Sequence, residues 1–137
     1  MLKLGAYKKC IAVPAGHRLA GKKKLKISDL FGETLMMVKA GDSPINDSIR
    51  AELEKYPQIK IEDTDHYYDI SVYNKCVRTG SLLLNLECWS NIHPSLVTIP
   101  VEWEYEMPYG LLYGKNPSEE VLRFIKAVEA VKKATRK

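Results

Sequence analysis

Apolar and polar positions along this 137-residue chain repeat with two different periods. Short apolar runs at residues 9–13, 34–38, 82–84, 97–101 and 109–113 predict buried strands, the first of them stopped by Pro14. Residues 58–63 alternate Ile59 and Ile61 with polar neighbours, which predicts a strand with one buried face. Between these runs the spacing lengthens to three and four. Ile45, Ile49 and Leu53 share one face of a helix that opens at Ser43-Pro44, a polar cap before a first-turn proline, and stops at Tyr56-Pro57. Val72, Tyr73, Cys76 and Val77 form the apolar face of a second helix over 68–80, capped by Asp69 or Ser71 and ended by Gly80. Val121, Ile125, Val128 and Val131 predict a core-facing stripe on a C-terminal helix over 118–133, capped by Ser118 with Glu119 and Glu120 in its first turn. Residues 14–26 read as loop, followed by one helical turn at 28–31, capped by Ser28 and ended by Gly32.

Strands alternating with helices of ten to fifteen residues imply βαβ units, so the fold class is α/β with a mixed, mostly parallel sheet flanked by helices. In such sheets ligands gather outside the strand ends, where helix N-termini present free N–H groups. Three polar junctions answer that description. Asp42 and Ser43 stand before the first helix, Asp69 and Ile70 (through their backbone amides) at the second, and Asn85 at a strand end. Converging at one sheet edge, they would make a site for a small anion or polar ligand. The same residues equally suit plain helix capping, and the pattern alone leaves both readings open.

Composition narrows the function classes. Apolar residues make up 45% and charged residues 28%, as in ordinary soluble proteins, and the net charge is +4. The lysines gather at Lys22, Lys23, Lys24 and Lys26, and again at Lys132, Lys133, Arg136 and Lys137. No aromatics interleave with them, so solvated faces are expected rather than nucleic-acid contacts. Cys10, Cys76 and Cys88 form no CxxC pair, which argues against a disulfide framework or a thiolate metal site and for a reducing, cytoplasmic setting. No apolar run approaches the about 20 residues of a membrane span. Catalysis lacks a constellation. A Cys–His pair would have to join one of the cysteines to His17, His66 or His93, but Cys76 lies on an apolar helix face and His93-Pro94 reads as a turn. Asp63, Asp65 and Asp69 do not match a calcium loop and read as caps and solvated charges. The expectation is a binding module, with no enzyme activity, cofactor or metal.

The chain also resembles a known family. Val13-Pro14-Ala15-Gly16-His17-Arg18-Leu19-Ala20, followed by Leu25-Lys26-Ile27-Ser28-Asp29-Leu30, is similar to the start of the second subdomain in the effector-binding domain of LysR-type transcriptional regulators. Gly41-Asp42-Ser43, Tyr68-Asp69 before Tyr73-Asn74, Gly80-Ser81-Leu82-Leu83-Leu84, Val97-Thr98-Ile99-Pro100-Val101 and Pro108-Tyr109-Gly110-Leu111-Leu112-Tyr113 follow in matching order. The resemblance implies a lobe like those of type II periplasmic binding proteins, with an incomplete first lobe. Residues 1–13 would be a crossover strand region and 14–100 the second lobe. Residues 101–137 would be the return crossover with a helix belonging to the first lobe. It implies a small-molecule effector, self-association through the orphaned stripe of the last helix, and DNA contact only through an N-terminal domain that this chain lacks. The competing expectation is a lobe of a solute-binding protein of the same fold.

Overall fold

A computed structural model describes residues 2–65 and 67–135, so Met1, His66, Arg136 and Lys137 lie outside the described residues. The described residues fold as two compact units, a larger one over Tyr7–Met107 and a smaller one made of residues 2–6 and 108–135.

The larger unit is a mixed sheet between two helices. Its strands are β1 (Leu2–Pro14, whose first residues belong to the smaller unit), β2 (Thr34–Val38), β3 (Lys60–Thr64), β4 (Leu82–Leu86) and β5 (Leu96–Pro100), in the order β3-β2-β4-β1-β5. β2 runs parallel to β3 and β4. β1 runs antiparallel to β4, with Lys9 opposite Leu86, and antiparallel to β5. The short runs read from the sequence therefore extend: β1 begins well before residue 9 and β4 ends two residues after Leu84.

Alternation along the strands splits the core into two layers. Ile11, Val13, Leu35, Met37, Leu82 and Leu84 face one side, where helix α1 (Pro44–Leu53) packs Ile49 and Leu53 against them. Ala12, Met36 and Leu83 face the other, against Tyr73 and Cys76 of helix α2 (Ile70–Thr79). Both helices start as expected. The Ser43 hydroxyl accepts from the Asn46 N–H at 3.4 Å, and the Asp69 carboxylate accepts from the N–H groups of Ser71 and Val72 at 3.0 and 3.2 Å. Gly80 ends α2 in the left-handed region, at φ 72°.

Three local expectations fail. The turn at Ile27–Leu30 is capped not from Ser28 but by Asp29, whose carboxylate accepts from the Lys26 N–H at 2.8 Å. Val77 is exposed, because ten helical residues present only Tyr73 and Cys76 fully to the sheet. The smaller unit supplies the third correction. Its helix α3 (Glu119–Thr135) is capped by Ser118, whose hydroxyl accepts from the Val121 N–H at 3.3 Å. Of the predicted stripe only Ile125 is buried and Val128 half-buried, while Val121 and Val131 are exposed together with Leu122 and Phe124. Among the described residues of this unit no second layer covers that side. Its other strand, β6 (Glu106–Leu111), pairs with β1, and Gly110 comes so near Leu2 that a Cβ there would stand 2.1 Å from the Leu2 carbonyl oxygen.

Candidate functional site

The C-terminal ends of β2 and β4 open onto a cleft of about 480 Å3, inside the range of roughly 300–1,000 Å3 usual for small-molecule sites. Three chain junctions build it. After β2 come Asp42 and Ser43 and then the first turn of α1 with Asn46. Before α2 come Tyr67 and Tyr68. Leu84 and Leu86 of β4 lead to Trp89 and Ile92. Lys9 of β1, set beside Leu86 by the strand register, and Met107 complete the wall. The Tyr68 hydroxyl donates to the Leu84 carbonyl at 2.8 Å and so ties two of the junctions together. Its ring stands edge-on to Tyr73 and to Trp89, with centroids 6.2 and 6.3 Å away. Burial pushes the Tyr68 phenol up from its ordinary range, so it stays a hydrogen-bond donor.

The five residues picked from the sequence fall in different places. Asp42 and Ser43 line the cleft. Asp69, Ile70 and Asn85 are not among the lining residues. The Asp69 carboxylate is engaged by its own helix start, and the Ser71 hydroxyl beside it is the main reason its carboxyl sits below the usual range. Ile70 points away from the core and is exposed. Asn85 is buried within β4, where its amide donates to the Thr98 hydroxyl at 3.0 Å and its side-chain oxygen finds no donor among the described residues.

Lys9 and Asn46 are the residues that sequence reasoning missed. Lys9 is only 6% exposed. Its backbone is held from both sides: its N–H donates to the Tyr105 carbonyl at 2.9 Å, and the Trp103 indole donates to its carbonyl at 2.7 Å. Burial lowers the ammonium to about 8, with Cys88 acting in the opposite direction. Among the described residues no carboxylate forms an ion pair with it. Asn46 is also buried, and its side-chain oxygen finds no hydrogen-bond donor among the described residues. A signal for Lys9 was present, since period-two alternation puts it on the face of Ile11 and Val13.

Among the described residues neither His17 nor His93 pairs with a cysteine. Burial raises the Cys10 and Cys76 thiols to about 11, which keeps them protonated. His17 pairs with Glu33 at 3.0 Å and His93 with Asn74 at 3.1 Å, each with its other ring nitrogen accepting a backbone N–H nearby. Among the described residues no group of side chains is set to hold a metal ion, and no helix is long and apolar enough to cross a membrane.

No family model matches the sequence, and no curated protein matches it. Solved structures do. The effector-binding domain of QuiR in complex with shikimate is 17% identical with a TM-score of 0.69, over 97% of this chain and 65% of that one. The BenM effector-binding domain with its effector benzoate is 13% identical with a TM-score of 0.68, over 98% of this chain and 63% of that one. CbnR, a LysR family transcriptional regulator, is 14% identical with a TM-score of 0.66, over 94% of this chain and 46% of that one. The chain thus spans less than two thirds of the length of each structure named. What these likenesses establish is architecture: the chain carries the type II periplasmic-binding-protein-like fold of a LysR-type effector-binding domain.

Proposed function

We propose that this chain is the effector-sensing part of a LysR-type transcriptional regulator. The observation that carries this reading is the cleft at the strand ends, lined from three chain junctions and by the buried Lys9, on a fold shared with solved effector-binding domains. Of the five residues Asp42, Ser43, Asp69, Ile70 and Asn85, the cleft lining favours Asp42 and Ser43 as effector contacts, while Asp69 caps α2. Residues 14–100 form the second lobe, and 1–13 and 101–137 the crossovers and the returning helix. DNA contact belongs to the parent protein rather than to these residues. The raised thiols and the unfinished histidine sites favour binding over catalysis, and the free cysteines suit a reducing cytoplasm. The named structures being regulator domains favours a sensor over a lobe of a solute-binding protein. The exposed stripe of α3 supports homo-oligomer formation.

Thermal unfolding of the purified chain against a metabolite panel that includes benzoate and shikimate tests the reading. A ligand at about 100 times its Kd stabilises a fold by about 2.7 kcal/mol. The expected result is a stabilising compound whose effect falls in the Ser43→Ala and Asp42→Asn variants. A panel without any stabilising compound, or a hit indifferent to both variants, refutes the assignment.

A further inference from the structure

The fold withdraws the Lys9 side chain from water and leaves it without a counter-ion. The residue is more than nine-tenths buried, and among the described residues no carboxylate pairs with it. Its main chain is bonded on both sides, to the Tyr105 carbonyl and the Trp103 indole, which hold it at the cleft. Tyr68, Tyr73, Leu86, Trp89 and Met107 line the same space. That space is open, since its lining runs out to Asp42 and Tyr67, both exposed. An ammonium in such surroundings gives up its proton more readily than one in water, because burial penalises the charged form alone. What remains is a primary amine with a free lone pair, and desolvated lysines of this kind are nucleophiles toward carbonyl groups.

Resting on the sensor reading above, we infer that Lys9 is a covalent capture site, whose amine condenses with an aromatic aldehyde in the cleft to form an imine. The Nζ lone pair forms a C–N bond to the carbonyl carbon, and both N–H protons leave with the carbonyl oxygen as water. No oxidant or reductant is needed. Two features favour this product. An imine nitrogen is far less basic than an amine, so condensation removes from the apolar wall a charge that burial penalises. The ring of the aldehyde meets a wall of aromatic side chains, Tyr68 standing edge-on to Tyr73 and to Trp89. Exposed lysines lack both features. With its ammonium lowered to about 8, Lys9 carries a free amine in about one molecule in ten at pH 7, against about one in three thousand for an ordinary lysine.

The test is labelling of the whole chain at pH 7 with benzaldehyde and sodium cyanoborohydride, which reduces the imine to a stable secondary amine, followed by peptide mapping in a mass spectrometer. Lys8 is the exposed neighbour of Lys9, so fragment ions of one chymotryptic peptide compare the two directly. The expected result is a benzylated fraction at Lys9 at least about ten times that at Lys8, falling to within about twofold when the chain is unfolded in urea. Propanal, which has no ring to set against the aromatic wall, should label Lys9 less than benzaldehyde does. Equal labelling of the two lysines in the folded chain, an excess at Lys9 that persists in urea, or propanal that labels Lys9 as well as benzaldehyde overturns the inference. A metabolite that stabilises the chain through Ser43 and Asp42 while Lys9 stays unlabelled refutes the capture site and leaves the sensor reading standing. Labelling confined to Lys9, with no stabilising metabolite in the panel, supports the capture site and counts against the sensor reading.

Discussion

Replacing Lys9 with methionine should make the protein more stable, although it removes a charged group from the proposed site. The ammonium is held at about 8 against an ordinary 10.5 because burial strips its water. At about 1.4 kcal/mol per pH unit, that gap corresponds to about 3 kcal/mol of folding stability withheld at pH 7. Methionine fills the same linear space without a charge. The sign of the pH dependence follows. Below pH 8 both folded and unfolded chains hold the proton and the whole penalty stands. Between 8 and 10.5 the folded chain has released a proton that the unfolded chain keeps, so wild-type stability rises through that window. The advantage of Lys9→Met should therefore be about 3 kcal/mol at pH 7, about 2 kcal/mol at pH 9 and close to zero above pH 10.5. The buried thiols of Cys10 and Cys76 and the Tyr105 phenol, all raised, pull stability down at alkaline pH, but they act in both proteins and cancel in the difference. Urea unfolding followed by tryptophan fluorescence at pH 7, 8, 9 and 10 measures it. A variant no more stable than wild type at pH 7, or an advantage that does not shrink with pH, refutes the account of Lys9 as a desolvated charge.

Other outcomes follow from packing. Ile49→Ala removes a fully buried side chain from the layer between α1 and the sheet and should cost about 2–5 kcal/mol in urea unfolding; a loss under 1 kcal/mol would mean that this layer is loosely packed. Gly110→Ala pushes a methyl group into the Leu2 carbonyl and should unseat the pairing of β6 with β1, read as faster amide exchange in β6 and α3 with the larger unit unchanged; unchanged exchange there would show that the backbone yields. Phe124→Ser takes the most prominent aromatic from the exposed face of α3 and should lower the average mass in light scattering at high concentration. A wild-type chain that is already monomeric sinks the proposed self-association.

Local chemistry was legible in the sequence, and long-range company was not. Ser43-Pro44 and Asp69 announce their helices because a cap acts within three residues of itself. The unbroken apolar runs of β1, β2 and β4 announce strands buried on both faces, with Ile11, Leu35 and Leu84 on one side and Ala12, Met36 and Leu83 on the other. The cleft is another matter. Lys9, Tyr68 and Trp89 are brought together by strand register and by irregular segments, and neither leaves a period in the chain. The stripe on α3 shows the limit from the opposite side. Spacing names a face, but burial of Val121 and Val131 needs a second layer, which periodicity does not report. Asp29 taking the capping role expected of Ser28 is a smaller case, in which a longer side chain reaches back where a hydroxyl does not.

The outer strands of the larger sheet bear on how this protein behaves in a crowded solution. β3 ends the sheet on one side and carries Lys60, Glu62 and Asp63 in five residues, with Asp63 paired to Arg50 at 2.7 Å and Glu62 to Lys75 at 2.6 Å. β5 ends it on the other side, closes on Pro100 and is followed by Val101, which Leu25 covers through a parallel bridge. A foreign strand seeking to add to either side would meet fixed charges or a residue without an N–H to give. The sheet is thereby finite by construction, and ribbon-like aggregation of the folded larger unit is opposed at both of its margins.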